Sequence, residues 1–434
     1  MKTLIASLIS ALVMLCSCSM AEQQQPQPIR VLAPDGAWTW FNDERTIVDG
    51  SRLIIGSLDS QGVSRVDVYD MDTGDTQACP LSSWKSLDDH NNPALLKLSD
   101  GSILACYSQH GRQRRWYWRI AEESPQNEGM LQWGSEQRFR VPAGTTYCNL
   151  VQLSDENGRI YNFSRNVNFN PNIQFSDDMA HTWQGPMVFL KTGDGRIRPY
   201  VKYADNGKDR IDFLYTDGHP RNEPVNNVYH MYYQKGAFFK SDGTPIKTMQ
   251  QVREQPIQPN EGTLIYDGST HGRGWVWDIE YDQDGTPVCV FINSVDHGVG
   301  NDLRYRYARW DPASGQWNQQ QIAFAGTHLY DNEQHYAGGI TIDPANVNTV
   351  YISCDVDPET GEKNTTGRYQ IYAGQTTNGG VAWSWKQLTF DTDQDNLRPI
   401  VPRDHGCKRC LVWFQGEYRT YTDYKTRIVG LIER

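Results

Sequence analysis

The chain has 434 residues and a formal net charge of −11 at pH 7, which argues against general nucleic-acid binding. A local basic pocket for a polyanion remains compatible with that total. Hydrophobic residues make up 38%, and 14 Trp with 23 Tyr suit many short strands with polar turns and exposed rings.

At the N-terminus, Lys2 precedes an apolar run from Leu4 to Leu15, too short to span a bilayer. Leu15-Cys16-Ser17-Cys18 resembles a bacterial lipobox, so residues 1–18 read as a signal peptide, Cys18 as the lipidated residue and 19–30 as a tether. The expected location is the cell envelope, lipid-anchored. Cleavage after Ala21, with release to the periplasm or medium, is the alternative.

From residue 31 to 434 the chain reads as one all-β unit. Alternating runs include Arg52–Gly56, Arg65–Tyr69, Gly158–Phe163, Arg210–Tyr215, Val228–Tyr233, Trp275–Glu280, Val288–Ile292, Leu303–Tyr307, Val350–Cys354 and Cys410–Phe414. Asp-Gly and Asn-Gly pairs at Asp49, Asp100, Asn157, Asp242 and Asp284 punctuate them. No convincing helical periodicity exceeds two turns. Ser176–Trp183 and Thr376–Trp383 both resemble the Asp-box turn S-x-D-x-G-x-T-W, with Ala180 in the first and Asn378 in the second as departures. Such repeats point to a β-propeller. Seven blades give about 59 residues each, while six with long loops or eight tight ones fit the same length.

The stretch from Asp88 to Gly111 reads as loop, strand, turn at Ser99–Gly101, strand and loop, with a histidine at each open end. Antiparallel strands bring those ends side by side, so His90 and His110 are expected to face each other. Two facing imidazoles can form a proton-transfer site, or can be ordinary loop histidines. A second hairpin places Tyr147 and Arg165 at its free ends, with Tyr161 and Arg198 as nearby competitors. Arg198, Tyr200, His219, Asn91 and Asn149 are candidate substrate contacts. Arg112 to Arg119 is a basic, aromatic run, readable as contact for an acidic sugar chain or as a charged edge strand. There is no Gly-rich phosphate loop, G-x-S-x-G or H-E-x-x-H.

Beyond the signal, seven cysteines are scattered without a disulfide framework, and Cys106, Cys148, Cys289 and Cys354 fall in apolar strand patterns. Cys407-Lys-Arg-Cys410 beside His405 has zinc-ligand spacing, though a local disulfide or two free thiols fit equally.

These signatures together resemble the bacterial-neuraminidase-repeat family that includes the propeller-type ulvan lyases. They include Gly36–Phe41, Asp89–Leu95, Tyr107–Gly111, Thr146–Asn149, Arg198–Tyr203, Thr216–Pro220, Arg398–Val401 and Leu411–Tyr418. The resemblance implies a seven-bladed propeller that cleaves a uronic-acid glycoside by β-elimination, with His90, His110, Tyr147 and Arg165 as the site. For that reaction we assign His90 as base and Tyr147 as acid, with the reverse order, Tyr147 removing the C5 hydrogen, as the alternative, and His110 orienting the sugar or helping to neutralise its carboxylate. No cofactor is expected for catalysis. A structural zinc is implied, with His335, Cys354, His405, Cys407 and Cys410 as candidate ligands. The expected partner is an anionic, ulvan-like polysaccharide. A sialidase-type hydrolase and a non-catalytic glycan-binding lipoprotein are the alternatives.

Overall fold

The structure is a computed structural model that describes residues 28–125, 129–295 and 302–434. The expected signal peptide with Cys18, and all but the last residues of the tether, lie outside the described residues.

Seven antiparallel sheets follow one another along the chain, which makes the fold a seven-bladed β-propeller. Taken in order, the innermost strands are Thr46–Asp49 for blade I, Ala94–Lys97 for blade II and Leu150–Leu153 for blade III. Val201–Asp205, Arg273–Tyr281, Gly339–Ile342 and Asp395–Ile400 begin blades IV to VII. The ring closes through the chain ends. Arg30–Ala33 pairs with Asp423–Glu433 and becomes the outer strand of blade VII. The runs predicted from alternation lie in observed strands, except that Gly158 falls in the turn before Arg159–Arg165, and among the described residues the two α-helices, Met249–Glu254 and Gly268–His271, are short. Among the described residues no helix is long and apolar enough to cross a membrane.

Both Asp-box turns pack as their residue types require. Asp178 accepts from the Thr182 amide (2.8 Å) and hydroxyl (2.6 Å), and Trp183 packs edge-on against Trp116 of the preceding blade at 4.9 Å. In the second turn Asn378 accepts from the Ala382 amide (2.9 Å) and Trp383 meets Tyr307 of blade V at 5.2 Å. Ala180 has φ 64°, a left-handed conformation, which is why glycine is usual there.

The segment from Gly36 to Glu44 leaves the closing strand and threads the propeller's centre. Trp40 lies flat on Trp277 of blade V at 4.3 Å, and its Nε1–H donates to the Val276 carbonyl (3.2 Å). Lys202 of blade IV donates to the Trp40 carbonyl (2.6 Å), the Asp43 amide donates to Asn149 of blade III (3.1 Å), and Trp38 donates to the Arg398 carbonyl of blade VII (3.2 Å). Burying a tryptophan removes about 200 Å² from water, worth on the order of 5 kcal/mol before ordering costs. Trp38 and Trp40 therefore tie the blades to a common plug, and Phe41 beside them supports the rings of Tyr147 (5.3 Å) and Tyr200 (5.0 Å).

Candidate active site

Connections in an antiparallel blade alternate between the two ends of its strands. One face of the propeller is therefore built from the segments that enter each inner strand and from the loops joining second to third strands. His90 enters blade II, and His110 follows that blade's second strand, Ile103–Ser108. Tyr147 and Arg165 occupy the matching positions in blade III, where Thr146 and Arg165 exchange two backbone hydrogen bonds of 2.9 Å. Tyr200 and His219 do so in blade IV, and Tyr421 stands at the corresponding turn of blade VII.

The His90 and His110 rings stack with centroids 4.0 Å apart and planes 10° apart. Asp88 holds them together. His90 Nδ1–H donates to Asp88 Oδ1 (2.7 Å), and His110 Nδ1–H donates to Asp88 Oδ2 (3.0 Å). Since a carboxylate only accepts, both Nδ1 atoms carry protons. Asp89 adds a second carboxylate 3.0 Å from His90 Nδ1, and is itself anchored by Arg398 (2.5 Å) and Tyr418 (2.5 Å). Tyr421 meets both imidazoles edge-on, at 5.2 and 6.1 Å.

These contacts divide the histidines electrostatically. Burial opposes a charge on His90, but Asp88 and Asp89 overcome it and push its pKa up to about 10. His90 is an imidazolium at neutral pH. Burial and the neighbouring His90 charge both lower the pKa of His110, which stays neutral with its Nε2 lone pair free of the Asp88 contact. Burial would raise Asp88, yet the two imidazoles hold it well below the usual carboxylate range. His90, the base expected from sequence, thus favours its protonated form near neutral pH, whereas His110 favours the neutral one.

Tyr147 sits 5.6 Å from His90 between ring centroids, with its backbone at φ 65°. Burial, with Tyr200 beside it, raises its phenol well above the ordinary range against the pull of Arg165, so the phenol keeps its proton. The Arg165 guanidinium lies 3.9 Å over the Tyr200 ring and 5.8 Å from that of Tyr147, and its Nε–H donates to the Phe169 carbonyl (2.9 Å). Of the competitors, Tyr161 is turned away, bonded to Glu156 (2.5 Å) and Tyr233 (3.1 Å). Arg198 is exposed, with its guanidinium 5.0 Å from the Phe169 ring. His219 packs against Trp275 at 4.6 Å and Tyr200 at 5.3 Å.

Two expected substrate contacts are corrected. Asn91 is fully buried, accepting from the His110 amide (2.8 Å) and donating to the Ser86 carbonyl (2.8 Å). Asn149 accepts from the Asp43 amide (3.1 Å) and donates to the Phe163 carbonyl (3.0 Å). Both amides are spent on backbone and hold the loops that carry the site.

The expected zinc set is also corrected. His335 precedes the inner strand of blade VI and Cys354 ends that blade's second strand, so both lie toward the histidine face. His405 and Cys407 lie between the first and second strands of blade VII, and Cys410 opens that second strand, at the opposite face. The five residues are thus split across the depth of the propeller and do not fit one ion. His405 Nδ1 instead accepts from the Cys407 amide (3.1 Å), and Cys354 Sγ lies 3.2 Å from the Val356 carbonyl as donor. Among the described residues, the group of three or more His, Cys, Asp or Glu ligand atoms gathered within 4.8 Å of one another is that of Asp88, His90 and His110, already joined by hydrogen bonds.

Sequence reasoning assigned no role to Asp88, Asp89, Tyr421 or Glu333. Asp88 stands two positions before His90, and that spacing within a single turn was the available signal. Tyr421 and Glu333 arrive from blades VII and VI, and no local pattern announces them.

No curated protein matches the chain. Among solved structures it is similar to one described as a polysaccharide lyase of the ulvan lyase type, PL25, bound to -[GlcA(1-4)Rha3S]-. That likeness has a TM-score of 0.67 and 14% identity, over 92% of this chain and 94% of the other. A structure of the same type titled without a bound sugar gives 0.67 and 15%, over 92% and 95%. At such identity the likeness is one of fold. The sequence profile described as a BNR repeat-containing family member matches residues 39–325, more than half of the chain, and the protein belongs to that family.

Proposed function

We propose that the protein is a polysaccharide lyase that cleaves a uronic-acid glycoside by β-elimination in an anionic, ulvan-like polymer of rhamnose and uronate. The observation that carries this reading is the division of the histidine pair: one fixed cation and one neutral base share a single carboxylate, beside a protonated phenol and a guanidinium. The similarity in fold to structures described as ulvan lyases supports it.

Elimination needs each of these groups. The C5 hydrogen is very weakly acidic because the adjacent carboxylate opposes build-up of negative charge. Arg165 and the His90 imidazolium offset that charge, Arg165 through a permanently charged fork. His110 Nε2 takes the C5 proton, and the C5–H electrons form the C4–C5 double bond as the C4–O bond breaks. The departing oxygen receives the Tyr147 proton. Asp88 keeps both rings oriented and His90 charged. In this reading the envelope location and the lipid anchor bring the enzyme to an extracellular polymer.

The test is incubation with a panel of uronate polysaccharides while ultraviolet absorbance and reducing ends are followed together. A rise in both supports elimination. Reducing ends without absorbance would replace it with hydrolysis of the sialidase type, and neither signal, with binding retained, would leave a glycan-binding protein.

A further inference from the structure

We propose that Glu333 and His219 form a subsite that reads a hydroxyl of the sugar next to the uronate; the inference rests on the lyase reading above. Glu333 comes from the segment entering blade VI, and His219 from the loop between the second and third strands of blade IV. Both therefore belong to the face that carries the stacked histidines.

Glu333 is a carboxylate only 8% exposed. Its Oε1 accepts from Arg221, while its Oε2 has no hydrogen-bond partner. A buried acceptor left unpaired costs about 1–3 kcal/mol, so such an atom calls for a donor. His219 supplies the other half of the pattern. Its Nδ1 accepts from the Arg221 amide (3.1 Å), which puts the proton of the neutral ring on Nε2. Burial, Arg221 and the neighbouring imidazole of His335 all keep that ring uncharged. His219 Nε2 and Glu333 Oε2 are 3.7 Å apart. That is too long for a hydrogen bond, yet short enough for one oxygen to reach both.

A donor beside an unpaired acceptor selects the functional group between them. A hydroxyl accepts from Nε2–H and donates to Oε2. A sulfate or carboxylate can only accept, and would meet the Glu333 charge. An ammonium can only donate, and would meet Nε2–H. The pair therefore suits an alcohol, while Arg165 and Arg198 on the neighbouring blade boundary suit the acidic sugar. Trp275 and Tyr200 hold the His219 ring, and Arg221, which also donates to the Asn332 carbonyl (3.1 Å), holds Glu333.

The experiment uses the full chain and a tetrasaccharide alternating glucuronate and rhamnose, with turnover read by ultraviolet absorbance. Glu333→Ala and His219→Ala are each expected to raise KM about tenfold with kcat within about twofold. Because one hydroxyl serves both groups, the double variant should be no worse than the weaker-binding single variant. Glu333→Gln, whose amide oxygen still accepts, should recover part of the loss. Unchanged KM, or effects that multiply in the double variant, would overturn the subsite. Should Glu333→Ala not fold, His219→Ala and Glu333→Gln carry the same coupling test. If the wild-type chain forms no unsaturated product, the lyase reading fails on its own. Calorimetric titration with the same tetrasaccharide then decides the subsite: weakened binding in either single variant sustains it, and absent or unaffected binding overturns it.

Discussion

Asp88→Asn isolates the electrostatic argument, because it keeps the side chain's size and removes the one charge shared by both histidines. In the native site two Nδ1–H groups donate to Asp88, at 2.7 and 3.0 Å. An asparagine oxygen can accept only one of them well, and its amide N–H₂ faces the other donor. A unit charge about 4 Å away is worth about 4 kcal/mol at an effective dielectric near 20, equivalent to about three pH units. His90 has a folded pKa raised to about 10, so its cation is present below that pH and lost as pH rises through it. The wild-type pH–rate profile should keep its plateau until about pH 10, where the His90 limb appears. In Asp88→Asn that limb should move down by about two to three units, because only Asp89 still opposes the loss of the proton. The same shift should appear in the ring resonances of labelled histidine, measured without substrate. An alkaline limb and histidine resonances that do not move would refute the view that Asp88 maintains the charge on His90.

The raised pKa also sets a stability trend. The native state keeps the His90 proton that the unfolded chain loses near pH 6.5, so this contribution is complete below that value and fades as pH rises towards about 10. Denaturant midpoints measured from pH 6 to 10 should fall accordingly, and His90→Gln should flatten that part of the curve. His110→Ala removes the proposed base, so kcat should fall by about 10²–10⁴, while the lost donor to Asp88 should cost only about 1–3 kcal/mol of stability; turnover within tenfold of wild type would remove His110 from the chemistry. His90→Ala differs, because it strands Asp88 and Asp89 without their shared cation. It should cost about 3–5 kcal/mol of stability as well as activity, read by urea unfolding. Arg165→Lys loses the planar stack over Tyr200 and the bond to the Phe169 carbonyl. It should lower kcat/KM by about 10–100-fold despite conserving charge, as measured on a uronate oligosaccharide.

Much of the site could be seen in the chain because hairpins convert sequence spacing into proximity. His90 and His110 are the two ends of one hairpin, and Tyr147 and Arg165 the ends of the next. Asn91 and Asn149 show where that logic stops. An asparagine beside a candidate catalytic residue reads the same whether its amide meets a sugar or a backbone, and here both amides meet backbone. The cysteines show another limit. Cys407 and Cys410 have ligand spacing, but their proposed partners His335 and Cys354 lie at the other end of the strands, which no spacing records.

The sequence by itself determined the all-β class, the Asp-box turns and the pairing of residues within each hairpin. Those features depend on alternation and turn chemistry acting over a few residues. Only the tertiary structure decided how blades II, III, IV, VI and VII converge, and therefore which groups share one electrostatic field. It placed Asp88 and Asp89 on one histidine nitrogen and Tyr421 across both rings. It also brought Glu333 opposite His219, 114 positions earlier in the chain. Residue type supplies a histidine with an ordinary pKa near 6.5. Which histidine is held as a cation and which stays a neutral base depends on burial and on charges a few ångströms away, and those distances exist only once the ring of blades has closed.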